Sequence, residues 1–217
     1  MLLLTPYFFF LVVMISPSLS FFQSLFPNSG TQKMSILKGY DSLRKGRDRL
    51  KSEILTLARS VDRGLTETNE QRNEMLTLFS SLENVNPTKK PLQSPLVNDV
   101  WELEYTTSDS ILGRGDFPRV GPILQKIDTM SLSAENSETV SYWGLPVKRK
   151  VTAVLTPEND RLTNVQFKRF SIGPFSFNAP KSFKGSLEVT YLDEDLRLSR
   201  GDKGNIFVLT RRGDSSI

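Results

Sequence analysis

Apolar positions recur with two different periods along this chain, and the change falls near Asp99. Before it, Leu50, Ile54, Leu57, Ala58 and Val61 repeat at helical spacing, while Arg47, Arg49, Lys51 and Arg59 fall largely elsewhere on the wheel. The spacing predicts an amphipathic helix with a basic side, stopped at Arg63-Gly64, where Gly takes the left-handed conformation that closes a helix. Thr68-x-x-Gln71 has the form of a capping box opening a second helix, whose apolar stripe is Met75, Leu78, Phe79 and Leu82. Asn86-Pro87, Pro91 and Pro95 forbid its continuation and mark a linker. Two readings of the helices stand side by side. Either both stripes pack against the following sheet, or the first helix, basic from Arg44 to Lys51, lies on an anionic lipid surface.

From Asp99 onward the period is two. Trp101, Leu103 and Tyr105 alternate with Glu102, Glu104 and Thr106, so one face is apolar and the other wet. Ile123, Gln125 and Ile127 repeat the pattern after Gly121-Pro122. Further strands are expected at 139–143, 147–155, 162–170, 186–191, 196–199 and 206–210. Between them stand turn formers such as Gly144, Pro157-Glu158-Asn159-Asp160, Gly173-Pro174 and Asn178-Ala179-Pro180. About eight short strands without crossover helices describe an antiparallel barrel, whose interior is just wide enough for side chains or one small ligand.

The N-terminus reads as an address. Residues 7–15 form an apolar core bounded by Pro6 and Ser16-Pro17, too short for a membrane span and right for a signal peptide. Ser18 and Ser20 predict cleavage before Phe21, although no Lys or Arg precedes the apolar stretch. From 21 to 40 the charges are Lys33 and Lys38 alone, among Ser, Thr, Gln and Asn, as in a transit peptide. The chain therefore divides into a signal peptide (1–20), a transit-like presequence (21–45), a helical region (46–84), a linker (85–98) and a barrel (99–211). Such a bipartite leader is similar to those of algae whose plastids are wrapped in extra membranes; an ordinary secreted or endomembrane protein is the competing reading. Against secretion, there is no Cys for a disulfide framework and every Asn fails the Asn-X-Ser/Thr test.

Composition narrows the chemistry. At 217 residues and 38% hydrophobic content, the chain can bury one sizeable core. A net charge of +4 without a basic stripe or recognition motif argues against nucleic acid. With neither His nor Cys there is no Ser-His-Asp relay, Cys nucleophile, or imidazole or thiolate metal site. Glu102, Glu104 and Asp193-Glu194-Asp195 occupy wet strand positions and a turn, which does not describe a tuned acid/base pair. Neither a catalytic residue, a metal nor a cofactor is expected.

The closing run from Thr190 to Leu209, with its Asp193-Glu194-Asp195 turn and Arg200-Gly201-Asp202, describes a tight meander. Together with Trp101 to Ser108, Asp62-Arg63-Gly64, Leu82-Glu83, Asn86-Pro87 and the stretch from Gly121 to Asp128, it resembles the plastid lipid-associated protein family, also called plastid fibrillins. The resemblance spans about 37–210. It implies a mainly β protein with N-terminal α structure: a lipocalin-like antiparallel β-barrel preceded by two helices, located at plastoglobules or thylakoids. It implies an apolar lipid or isoprenoid ligand, such as a prenylquinone, carotenoid or fatty acid, and no bond chemistry. Such a protein carries the lipid, coats a lipid-globule or membrane surface, or presents substrate to a partner enzyme of prenyl-lipid biosynthesis. Asp99 departs from the lipocalin-type Gly-x-Trp, which places Gly two residues before Trp.

Alternation proposes a ligand-facing set of Trp101, Leu103, Tyr105, Phe167 and Tyr191, flanked by Ile123, Ile127, Val151, Ala153, Leu155, Val165, Leu187 and Val189. Gln125, Arg149 and Arg169 fall in phase with it. A buried guanidinium needs a carboxylate, a ligand oxygen or water, so each Arg either meets one inside or is turned outward by a β-bulge. Arg197, Arg200 and Asp202 belong to the closing signature. Their first expected role is a charged cluster holding the last turn, and contact with a ligand head group the second. The Arg-Gly-Asp triplets at 114–116, 200–202 and 212–214 read as turns.

Overall fold

The computed structural model describes residues 30–113 and 117–213. The signal peptide, its cleavage site and the 114–116 triplet lie outside the described residues. The chain forms two compact units divided after Arg44, the first contributing the helical residues 30–44 and the second the rest.

Helix α1 spans Gly30–Ser60 and α2 spans Asn69–Glu83. The capping box forms as expected: the Gln71 amide donates to the Thr68 hydroxyl, and the Thr68 amide donates to the Gln71 side chain. Between the helices, Asp62–Gly64 makes one 3-10 turn, and Gly64 takes a φ of 103°. Nine strands follow: β1 (Val100–Thr106), β2 (Leu124–Asp128), β3 (Ser133–Tyr142), β4 (Leu145–Pro157), β5 (Leu162–Ile172), β6 (Phe175–Asn178), β7 (Lys184–Leu192), β8 (Leu196–Gly201) and β9 (Ile206–Arg211). A short helix α3, Asp109–Leu112, follows β1.

Neighbouring strands run β4-β3-β2-β1-β9-β8-β7-β5, and β4 pairs again with β5. All pairs are antiparallel, so eight strands close into a barrel, and β6 hangs on β5 as a ninth. The fold class expected from the sequence is thus the one observed. β3 begins at Ser133, six residues before the predicted strand, and β6 occupies residues read as a break.

Two bulges fix which core each strand serves. In β1 the register shifts between Leu103 and Tyr105, and in β7 between Val189 and Tyr191. Each extra residue reverses the alternation. Trp101, Leu103 and Val189 therefore face inward, whereas Tyr105 and Tyr191 turn to the outer wall. There they join Leu196, Leu198, Ile206 and Val208 under Ile54 and Ala58 of the first helix, Val61 just beyond it, and Met75, Phe79 and Leu82 of the second. The helical stripes thus pack on the barrel. Each fully buried apolar side chain contributes about 1.5–3 kcal/mol.

Polar contacts hold the helices in register with the wall. Asp193 accepts from the Tyr191 hydroxyl at 2.6 Å and from Lys51 of α1 at 2.9 Å, and its other oxygen accepts the Asp195 and Leu196 amides. Arg200 reaches Glu83 of α2 through two nitrogens at 2.7 and 2.8 Å. Asn86 accepts the Leu192 amide and donates to the Thr190 carbonyl, clamping the β7 bulge.

The segment read as a linker forms the floor of the barrel. Pro91–Gln93 and Pro95–Val97 make 3-10 turns, Val97 is buried with the interior cluster, and Leu92 and Leu96 pack against it. The Trp101 indole donates to the Val97 carbonyl at 3.0 Å. Asp99 pairs with Arg211, whose guanidinium also reaches the Leu96 carbonyl at 2.6 Å. This ion pair closes the end of the barrel where a lipocalin-type Gly would stand.

Candidate functional site

The interior is built by the inward half of each strand. Cross-strand pairing sets Gln125 and Arg211 beside Trp101, Leu209 beside Leu103, and Arg197 between Leu192 and Leu209. The floor is apolar and tight: Trp101, Leu103, Ile127, Val189, Leu192 and Leu209 are all buried in one cluster. Toward the β4–β5 wall the packing changes. Val151, Leu155, Val165 and Phe167 keep the inward phase of Ala153, yet each is only half-buried. Inward side chains that still meet solvent describe a lining left partly uncovered.

Within this lining one charge stands out. Arg197 is fully buried, and its guanidinium carbon lies 5.0 Å from the Trp101 ring centre, with that of Arg211 at 4.7 Å from the same ring. Its Nη2 donates to the Gln125 carbonyl oxygen, but Nε and Nη1 have no hydrogen-bond partner. The neighbouring inward hydroxyl of Ser199 is also buried without a partner. Burial, and then repulsion from Arg211, push the Arg197 pKa down to about 9. A desolvated cation with unused donors attracts an oxygen acceptor.

The sequence-derived set divides accordingly. Trp101, Leu103, Gln125, Phe167 and Arg197 share the interior, and Gln125 bridges Arg197 to Asn136, to which it donates at 3.0 Å. Arg149 keeps its inward phase opposite Glu138 on β3 and is paired with it at 2.6 Å. Arg119 joins the same carboxylate at 2.5 Å and donates to the Leu112 carbonyl at 2.7 Å, so these charges form a local network toward the open end. Arg169 is turned away from the interior by a register shift opposite Thr152–Ala153. Tyr105 and Tyr191 stand under the helices, again because of bulges. Arg200, on the outer face, serves Glu83 and lies 5.0 Å from the Phe79 ring. Asp202 is exposed on the β8–β9 turn. The three signature residues therefore occupy three environments and do not form one cluster.

Ser199, Asn136, Glu138 and Arg211 were not singled out from the sequence. Ser199 could have been found two residues after Arg197 in the same phase, and Arg211 two after Leu209. Asn136 and Glu138 gave no signal, because the first half of β3 is polar on both faces.

The PAP_fibrillin family model matches residues 48–210. The chain is 36% identical over 170 residues to the probable plastid-lipid-associated protein 5, chloroplastic, of Arabidopsis thaliana, covering 77% of this chain and 71% of that one. It is 31% identical to the plastid-lipid-associated protein, chloroplastic, of Citrus unshiu, covering 76% and 68%. It is 28% identical to the chromoplast-specific carotenoid-associated protein of Cucumis sativus, covering 78% and 69%. The chain belongs to the PAP_fibrillin family and is a plastid protein of the lipid-associated class.

Proposed function

We propose that the barrel carries an apolar lipid or isoprenoid molecule without changing it chemically, its polar end directed to Arg197 and Gln125. The observation that carries this reading is the pair of unused Arg197 donors at the base of a partly uncovered apolar lining. A quinone or carboxylate oxygen there accepts from a guanidinium already desolvated, while the chain lies along Val151, Leu155, Val165 and Phe167. The carotenoid-associated relative from Cucumis sativus is consistent with a guest of this kind. Carriage, as opposed to coating alone, means about one guest per barrel. Mass spectrometry of lipid extracted from the purified protein tests it: one copurifying apolar species, lost or sharply reduced in Arg197→Met, is the expected result. Protein free of lipid, or lipid content unchanged by the substitution, would overturn the proposal.

Plastid import through a signal peptide and a following transit peptide is part of the same proposal. A fluorescent reporter fused behind residues 1–45 should enter the plastid; its appearance in the medium would remove the bipartite reading.

A further inference from the structure

The charges inside the barrel do not balance. Of the described carboxylates at the interior and its floor, Asp99 is held by Arg211, and Glu138 by Arg119 and Arg149. Arg197 has neither. Its one bond runs to a neutral amide, Gln125, whose own nitrogen is committed to Asn136 at 3.0 Å. Burial lowers the Arg197 pKa to about 9, which still leaves the guanidinium charged at neutral pH. A single positive charge is therefore fixed within the wall, with a protein amide as its only hydrogen-bond partner among the described residues.

Ser199 follows Arg197 by two residues on β8 and keeps its inward phase, paired with Val189 on one side and Phe207 on the other. Its hydroxyl is buried without a partner, as are Nε and Nη1 of Arg197. Two guanidinium nitrogens and one hydroxyl thus offer hydrogen to the same part of the interior. Ligand classes differ in how far they satisfy these donors. An alcohol or a quinone carbonyl brings one uncharged oxygen, whereas a carboxylate brings two oxygens, about four lone-pair sites and the missing negative charge. The surroundings favour the anion as well. Trp101, Leu192 and Leu209 shield Arg197 from water, so an opposite charge is felt almost unscreened. Folding has already desolvated the guanidinium, and only the carboxylate has still to leave water. A phosphate monoester or diphosphate fits less well, because its charge exceeds the one cation without a carboxylate partner.

We infer that the barrel selects long-chain monocarboxylates, bound head first, over neutral lipids such as alcohols, esters and quinones: Arg197 neutralises the carboxylate, and Ser199 donates a further hydrogen bond to it. The inference rests on the lipid-carrying reading and narrows it to one chemical class of guest. Arg197 supplies the charge that discriminates, and Ser199 the additional contact that a one-oxygen head group leaves unmet.

The test is equilibrium binding of radiolabelled oleic acid, oleyl alcohol and decylubiquinone to the full purified chain after its lipid has been extracted. One oleate per chain should bind, on the order of tenfold to a hundredfold more tightly than the alcohol of the same length. Gln125→Glu, which places a carboxylate beside Arg197, should erase that preference, and Arg197→Met should erase it by removing the cation. Ser199→Ala should weaken oleate on the order of threefold to tenfold and affect the alcohol less. A role in folding alone would move both ligands together. Equal affinity for oleate and the alcohol, tighter binding of the quinone, or an oleate preference that survives both Gln125→Glu and Arg197→Met would overturn the inference. The same titrations separate it from the reading on which it rests. Neutral guests bound one per barrel as tightly as oleate remove carboxylate selection and leave carriage standing, whereas failure of all three to bind removes both.

Discussion

The Arg197 guanidinium lies 5.0 Å from the centre of the Trp101 ring, inside a wall that supplies it with no carboxylate hydrogen-bond partner. Its cation–π contact and one bond to Gln125 offset only part of the cost of burying the charge. Arg197→Met, an apolar replacement of similar length, should therefore raise unfolding stability by about 1–4 kcal/mol, read as a higher urea midpoint. A lower midpoint would mean that the buried cation is a net structural asset.

Tyr105 offers the complementary case. Its hydroxyl donates to Glu67, whose carboxylate is also held by Arg72. Tyr105→Phe should cost about 0.5–1.5 kcal/mol and leave bound lipid unchanged, because the ring belongs to the outer core. Loss of lipid with unaltered stability would return Tyr105 to the interior.

The contact between Asp193 and Lys51 makes stability depend on pH at both extremes. Burial raises the Asp193 pKa, but bonds from Tyr191 and Lys51 outweigh it and hold the carboxyl below its ordinary 3.8. Its contribution is complete above that value and lost as pH falls through the depressed one. Burial opposes the Lys51 charge, while Asp193 and Asp195 raise its pKa above 10.5, so its contribution is complete below 10.5 and lost at higher pH. Asp193→Asn should cost about 2 kcal/mol at neutral pH, below the figure for a fully buried pair, and flatten the acid limb of a stability profile. An acid limb as steep as that of the native protein would assign acid sensitivity elsewhere.

Gly64 occupies a position closed to side chains. A Cβ there would lie 2.6 Å from the Thr106 carbonyl oxygen, on backbone with a φ of 103°. Gly64→Ala should lower stability by at least about 2 kcal/mol in thermal or urea unfolding. A neutral result would mean that the turn between α1 and α2 relaxes freely away from β1.

Alternation read from the sequence located the barrel because most strands keep a strict period of two with one greasy side. It could not see that Tyr105 and Tyr191 leave the interior, since a bulge inserts a residue without changing the local composition. Gln125 is legible as inward by phase, whereas Arg197 is legible only as part of the closing signature, expected first in a charged cluster at the last turn; for Arg169 the outward bulge that phase alone leaves open is the outcome, through the shift opposite Ala153. Pro91 and Pro95 mark a break after the second helix in the sequence, but prolines also build compact 3-10 turns, and these close the barrel. β6 escaped notice because Gly173-Pro174 and Asn178-Ala179-Pro180 leave four residues between two breakers.

That short strand has a further consequence. Around the closed wall every strand finds neighbours on both sides, and β6 alone among the described strands ends the pairing order outside the ring. It offers four residues before Asn178-Ala179-Pro180 halts any continuation. Copies crowded side by side thus meet little free backbone edge on the described strands, which guards against sheet-to-sheet pairing.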